Sequence, residues 1–139
     1  MAEDSAGRTA RCGCGALSVR VTGEPLEVYA CSCLNCQRET GGVFTYTASY
    51  LDAAAIVTGQ ARLWRRIVPS GRWIETSFCP TCGTQVFQIS ELQPGVICIA
   101  VGCFADPAFP APRTLYFGRS CHRWLVLPEE MRRLATQPD

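Results

Sequence analysis

Ten cysteines crowd this chain, and their spacing limits what it can become more than any other feature. They stand at 12, 14, 31, 33, 36, 79, 82, 98, 103 and 121, giving Cys-x-Cys twice and Cys-x-x-Cys twice. Sulfurs that close can point at one metal ion, whereas disulfide partners usually come from separated segments. The start, Met1 to Arg8, carries Glu3 and Asp4 where a secretory signal needs positive charge and an apolar run. No stretch approaches the ~18 apolar residues of a membrane span. The expectation is a cytoplasmic protein with reduced, metal-binding thiols and no membrane association.

Cys12-Gly13-Cys14-Gly15 and Cys79-Pro80-Thr81-Cys82-Gly83 each put two thiolates on a tight turn, with a glycine after the second cysteine. Glycine takes the left-handed conformations that turn backbone N–H groups toward sulfur. Together Cys12, Cys14, Cys79 and Cys82 make the closed tetrahedral set of a structural zinc site. The stretch from Cys14 to Cys79 is longer than in an ordinary zinc ribbon, so this metal would tie the start of the chain to its middle. The competing reading has one pair packed in the core as filler.

Cys31-Ser32-Cys33-Leu34-Asn35-Cys36 offers three thiolates and no obvious fourth. Three protein ligands and one exchangeable position describe a catalytic zinc. Three thiolates leave the site with a charge of about −1, which suits capture of a further thiol better than a zinc-activated hydroxide. Arg38 is placed to offset that charge or to hold a substrate carboxylate in its planar fork. Alternatively, His122, Cys98, Cys103 or Cys121 completes a second structural site.

Composition narrows the chemistry further. All thirteen basic residues are Arg, so Schiff-base catalysis on a side-chain amine is excluded. His122 is the sole histidine, and a net charge of +1, with Arg65-Arg66 a cluster of only two charges, does not argue for nucleic acid as a partner.

The 139 residues fit one domain, with a core over about 11–127 and frayed ends. Leu17, Val19 and Val21 alternate with polar residues as in a half-buried strand. Further strands are expected at 26–30, 43–50, 61–68, 72–78, 85–89, 96–104, 114–117 and 124–127, separated by Gly- and Pro-rich turns. Cys98 and Cys103 would then face opposite sides of one strand, Cys98 as core filler. Trp64, Trp73 and Trp124 read as packing residues. This is an all-β sandwich or barrel-like fold, with a short C-terminal helix from Pro128 to Thr136.

Several of these motifs, in this order, resemble the glutathione-dependent formaldehyde-activating family, which also includes centromere-protein-V-like domains. They are Cys12-x-Cys14-Gly15, Cys31-x-Cys33-x-x-Cys36, Thr40-Gly41, Phe78-Cys79-x-x-Cys82-Gly83, Gly102-x-x-x-Asp106-Pro107 and a late Trp124. The likeness runs from about Arg11 to Trp124. It departs at Ser32, where the family often has His, and at Gln37-Arg38, where a basic residue often follows the third cysteine directly. The resemblance implies a β-tent fold of short antiparallel strands and two Zn²⁺ per chain, one structural at Cys12/Cys14/Cys79/Cys82 and one catalytic at Cys31/Cys33/Cys36. It also implies a carbon–sulfur lyase adding a small thiol such as glutathione to a small aldehyde. The alternative is a zinc-stapled binding module without catalysis.

Overall fold

The computed structural model describes residues 7–137, and nearly all regular structure in them is β. Eleven strands form two sheets. The smaller sheet orders β1 (Arg8–Arg11), β2 (Ser18–Val21) and β5 (Ala55–Thr58) as an antiparallel β1-β2-β5. The larger contains β3 (Glu27–Cys31), β4 (Thr45–Leu51), β6 (Arg62–Ile67), β7 (Trp73–Phe78), β8 (Gln85–Ser90), β9 (Val96–Ala100), β10 (Thr114–Tyr116) and β11 (Arg132–Arg133). Its order is β11-β10-β3-β4-β9-β8-β7-β6, open at both edges.

Burial follows the expected alternation. Val19 and Val21 of β2 are fully buried, while Arg20 between them is exposed. They join Ala10, Leu17, Ala48, Tyr50, Val86, Ile97 and Ile99 in one core between the two sheets. A smaller core of Ala30, Leu115 and Met131 lies beyond β3.

Several expectations are corrected. Not every pairing is antiparallel: β10 runs parallel to β3, with Tyr116 opposite Cys31, and parallel to β11. The Pro128–Thr136 helix does not form. Residues 132–133 instead pair with β10, the Arg132 N–H donating to Arg113 O at 2.9 Å and the Leu134 N–H to Leu115 O at 3.0 Å. Nine residues are too few for an autonomous helix, and the open side of β10 takes their backbone bonds. Trp124–Leu127 is not a strand, and Trp124 is largely exposed rather than packed. The one α-helix among the described residues is elsewhere: α1, Leu34–Thr40, which buries no residue and so shows no apolar periodicity.

The expected 96–104 strand also ends early, at Ala100, and turns into a 3₁₀ segment over Val101–Phe104. Cys103 is thereby swung to the same side as Cys98, and both line a cleft of about 800 Å³.

Candidate metal centres and their cleft

Two turns build the first cysteine group. The β7–β8 register shifts between Ser77 and Phe78, where β8 carries the extra residue Val86, immediately before Cys79. The Gly83 N–H then returns to Cys79 O at 2.8 Å, with Gly83 in the left-handed region at φ 78°. The other turn closes likewise, the Gly15 N–H donating to Cys12 O at 3.1 Å. The Gly13 N–H donates to Thr84 Oγ1 at 3.0 Å and pins one turn to the other.

All four sulfurs of Cys12, Cys14, Cys79 and Cys82 lie within 4.8 Å of one another. Cys14 Sγ is 3.7 Å from both Cys12 Sγ and Cys79 Sγ, far beyond a disulfide bond, and all ten cysteines are free. Backbone N–H groups aim at the sulfurs: Leu17 at Cys12 (3.2 Å), and Thr81 and Cys82 at Cys79 (3.4 and 3.5 Å). The Leu17 N–H lowers the Cys12 thiol, and bonding to Thr84 lowers Cys82 to about 5. Cys14 moves the other way, to about 11, its bond to Ala16 outweighed by the Cys79 and Cys12 sulfurs beside it. Four convergent sulfurs with N–H donors aimed at them fit a tetrahedral metal ion.

The second group brings together Cys31, Cys33 and Cys36, again within 4.8 Å. Cys31 closes β3, and Cys33 caps α1, its Sγ accepting from the Cys36 N–H at 3.3 Å. Gly41 ends the helix at φ 68°. Hydrogen bonds from Cys31 and Cys36 lower Cys33 to about 2, and the charge of Arg66 acts in the same direction. Cys31 rises to about 11, chiefly through its bond to Cys33, and Cys36 is raised by Cys31 and Cys33. Three sulfurs that share protons this strongly fit a cation between them. Among the described residues no fourth His, Cys, Asp or Glu reaches this group, so His122, Cys98, Cys103 and Cys121 do not complete it.

Ser32, at the departure from the family pattern, is fully buried, its hydroxyl donating to Val43 O at 3.2 Å. Gln37 stitches the site to the C-terminal segment: its Nε2 donates to Ser32 O (2.8 Å) and Ser120 O (2.9 Å), and its Oε1 meets His122 Nε2 at 2.9 Å. Since the amide N–H groups are spent, His122 Nε2 carries the proton as donor.

Arg38 lies two residues past Cys36, about 200° around the helix, and is exposed with no bond to another described side chain. The sequence reading missed Glu39 and Arg66. Glu39 stands one turn past Cys36, and Arg66 Nε donates to Glu39 Oε1 at 3.0 Å with both side chains largely buried. Gln88 Nε2 (2.8 Å) and Gln85 Nε2 (3.3 Å) donate to the other oxygen. Only a buried acid at the helix end could have signalled this, since the partners are 27 or more positions apart.

The cleft borders the first group at Cys12 and Gly13 and reaches the end of α1 that carries Cys36. Arg11, Cys12 and Thr84 line it on one side, Glu39 and Thr40 on the other, and Tyr46, Phe87 and Phe104 supply apolar wall. No described helix is long and apolar enough to cross a membrane.

No curated protein sequence matches the chain. Among solved structures it is similar to a Rhodobacter sphaeroides protein at 22% identity and a TM-score of 0.55, covering 68% of this chain and 85% of that one. This likeness concerns the fold. The family of the glutathione-dependent formaldehyde-activating enzyme matches residues 7–120, a stretch that holds both sulfur groups and the residues lining the cleft. With most of its length so matched, the chain belongs to the glutathione-dependent formaldehyde-activating enzyme family.

Proposed function

We propose that the chain is a zinc-dependent carbon–sulfur lyase-type enzyme that joins a small thiol of the glutathione kind to a small aldehyde, formaldehyde being the family's own. One observation carries this: Cys31, Cys33 and Cys36 converge with no fourth protein ligand among the described residues. Cys12, Cys14, Cys79 and Cys82 would hold a second, structural Zn²⁺, and free cysteines throughout suit a cytoplasmic setting.

Cys31, Cys33 and Cys36 would hold the zinc, which when bound would supply a position where an incoming thiol loses its proton. The chain's own part is to bind and orient. The cleft receives a peptide-sized thiol along its polar rim, and Gln37 and Ser120 hold the Ser32 carbonyl and keep the Cys31–Cys33 turn in place. The chemistry balances without oxidant or reductant. The thiol sulfur forms a bond to the carbonyl carbon, the C=O π pair moves to oxygen, and that oxygen takes up a proton equivalent to the one released. The product is a hemithioacetal.

Metal analysis and a thiol titration test the reading. Protein prepared with zinc under reducing conditions should carry two ions per chain. With Co²⁺ at the second group, glutathione should shift the spectrum toward four sulfurs with saturation. Added formaldehyde should then be consumed faster than in matched protein-free thiol. A cobalt spectrum already showing four protein ligands and indifferent to thiol would leave a metal-stapled binding module instead.

A further inference from the structure

One wall of the cleft is the open edge of a strand. β1 is the edge strand of the smaller sheet, bonded to β2 on one side only. Hydrogen-bonded pairs alternate with non-bonded ones along an antiparallel ladder. The Cys12 N–H donates to Leu17 O at 2.9 Å, and Ala10 stands opposite Val19 two positions earlier. The backbone groups of Cys12, Ala10 and Arg8 therefore serve β2, and those of Thr9 and Arg11 point out from the edge. Among the described residues no other backbone group takes them up. Thr9 and Arg11 line the cleft, whereas Arg8 and Ala10 do not.

The same edge carries a charge. Arg11 is exposed beside the buried Ala10 and is the one cationic residue on the cleft wall. It forms no ion pair among the described residues. The one acid on that wall, Glu39, is already bonded to Arg66, Gln85 and Gln88. At its other end the cleft meets the second sulfur group. Thr45, on the wall, is the register partner of Cys31, and Thr40 Oγ1 donates to Cys36 O at 3.1 Å.

An unpaired strand edge binds extended peptide through main-chain hydrogen bonds, and a free guanidinium takes a carboxylate in its fork. Thr9 to Arg11 is only about 7 Å of edge, enough for two or three residues. Beyond it the chain turns away at Cys12–Gly15, where the Gly15 N–H returns to Cys12 O.

We infer that the outer edge of β1 is a peptide subsite: it holds the backbone of a short peptide thiol as an added strand, with Arg11 on a carboxylate of that thiol. This rests on the proposed thiol chemistry at Cys31, Cys33 and Cys36, which the sulfur reaches from the other end of the cleft. Preference for a peptide thiol over a simple one then comes from Thr9 and Arg11 and not from the metal.

The experiment compares wild type, Arg11→Gln and Thr9→Pro. Thr9→Pro removes one outward N–H and no ladder bond, the position at which an edge strand accepts proline. S-methylglutathione, whose sulfur is blocked, reads the subsite without the metal. It should bind wild type and slow amide exchange at Thr9 and Arg11. Arg11→Gln loses a charged hydrogen bond and should weaken it by about tenfold, and Thr9→Pro by about threefold. With Co²⁺ at the second group, glutathione should show the same losses, while 2-mercaptoethanol, which has neither amide nor carboxylate, should bind all three proteins within about twofold. Arg11→Gln decides alone if Thr9→Pro does not fold. Arg11→Gln within about twofold of wild type, no protection at Thr9 and Arg11, or an equal loss of 2-mercaptoethanol overturns the subsite. Co²⁺ protein that ignores both thiols while S-methylglutathione still protects the edge overturns the reading of the second group instead and leaves the subsite standing.

Discussion

Gly59 lies directly against the backbone of Ala16, so closely that a Cβ on it would land on the Ala16 carbonyl oxygen. Its φ of +98° is also one that side chains rarely adopt. Ala16 belongs to the first cysteine turn, next to the Leu17 N–H that donates to Cys12 Sγ. Gly59→Ala should therefore cost about 2–4 kcal/mol and weaken metal retention at the first group, because the turn must move to make room. Thermal unfolding and metal content measure both, and unchanged values would mean the backbone yields freely.

The two sulfur groups should respond differently to loss of one ligand. Cys79 is fully buried where β7 ends, and its group joins positions 65 apart along the chain. Cys79→Ser should impair folding, since a structural metal contributes folding free energy directly. Cys33 belongs to a group formed within six residues, so Cys33→Ser should empty that site and leave the fold. Circular dichroism with metal counting separates the two, and equal unfolding would defeat the division.

Glu39 offers a test of buried charge. Glu39→Leu strands the Arg66 guanidinium inside the protein and should destabilise it by about 3–5 kcal/mol. Glu39→Gln keeps the shape but loses the ion pair, and should cost less. Urea unfolding of the two variants decides, and a milder effect of Leu than of Gln would contradict the buried pair.

Gln37→Ala frees the Ser120 carbonyl, leaves the Ser32 carbonyl with only the Ser120 hydroxyl, and unhooks His122. The cost should be about 1–3 kcal/mol. It should appear first as faster amide exchange around residues 118–122, well before global unfolding. Exchange unchanged in that segment would show that the amide contributes nothing.

All four tyrosines, Tyr29, Tyr46, Tyr50 and Tyr116, have phenols raised above their usual value of 10, in each case chiefly by burial. Tyr116 reaches about 12, its hydroxyl also donating to Glu27. A group whose pKa is raised by folding stabilises the fold fully below its unfolded pKa. That contribution is lost as pH climbs through the folded value. Phenolate absorbance should stay low at pH 10 while the protein is folded, and stability should fall from pH 10 toward 12. Ordinary titration at 10 in the native protein would refute this.

How far the residues alone reveal the molecule depends on whether the signal is local. The Cys12–Cys14 and Cys79–Cys82 turns were legible because spacing and a following glycine act within five residues, and β2 because alternation does. The helix at Leu34–Thr40 was missed because its cap is a cysteine sulfur and it buries nothing. The Pro128–Thr136 segment was misread because its fate depends on the open side of a strand some eighteen positions earlier. Glu39 and Arg66 carry no local mark, so only the folded sheet brings them together.

The same long connection has a consequence during synthesis. Cys12 and Cys14 emerge from the ribosome well before Cys79 and Cys82, and at about 5–20 residues per second the gap lasts roughly 3–13 s. Through that interval two bare thiols wait for their partners, whereas Cys31, Cys33 and Cys36 emerge almost together. The newborn chain is thus exposed to oxidation and mispairing at its first turn, and the cell's supply of reductant during translation becomes part of what this fold requires.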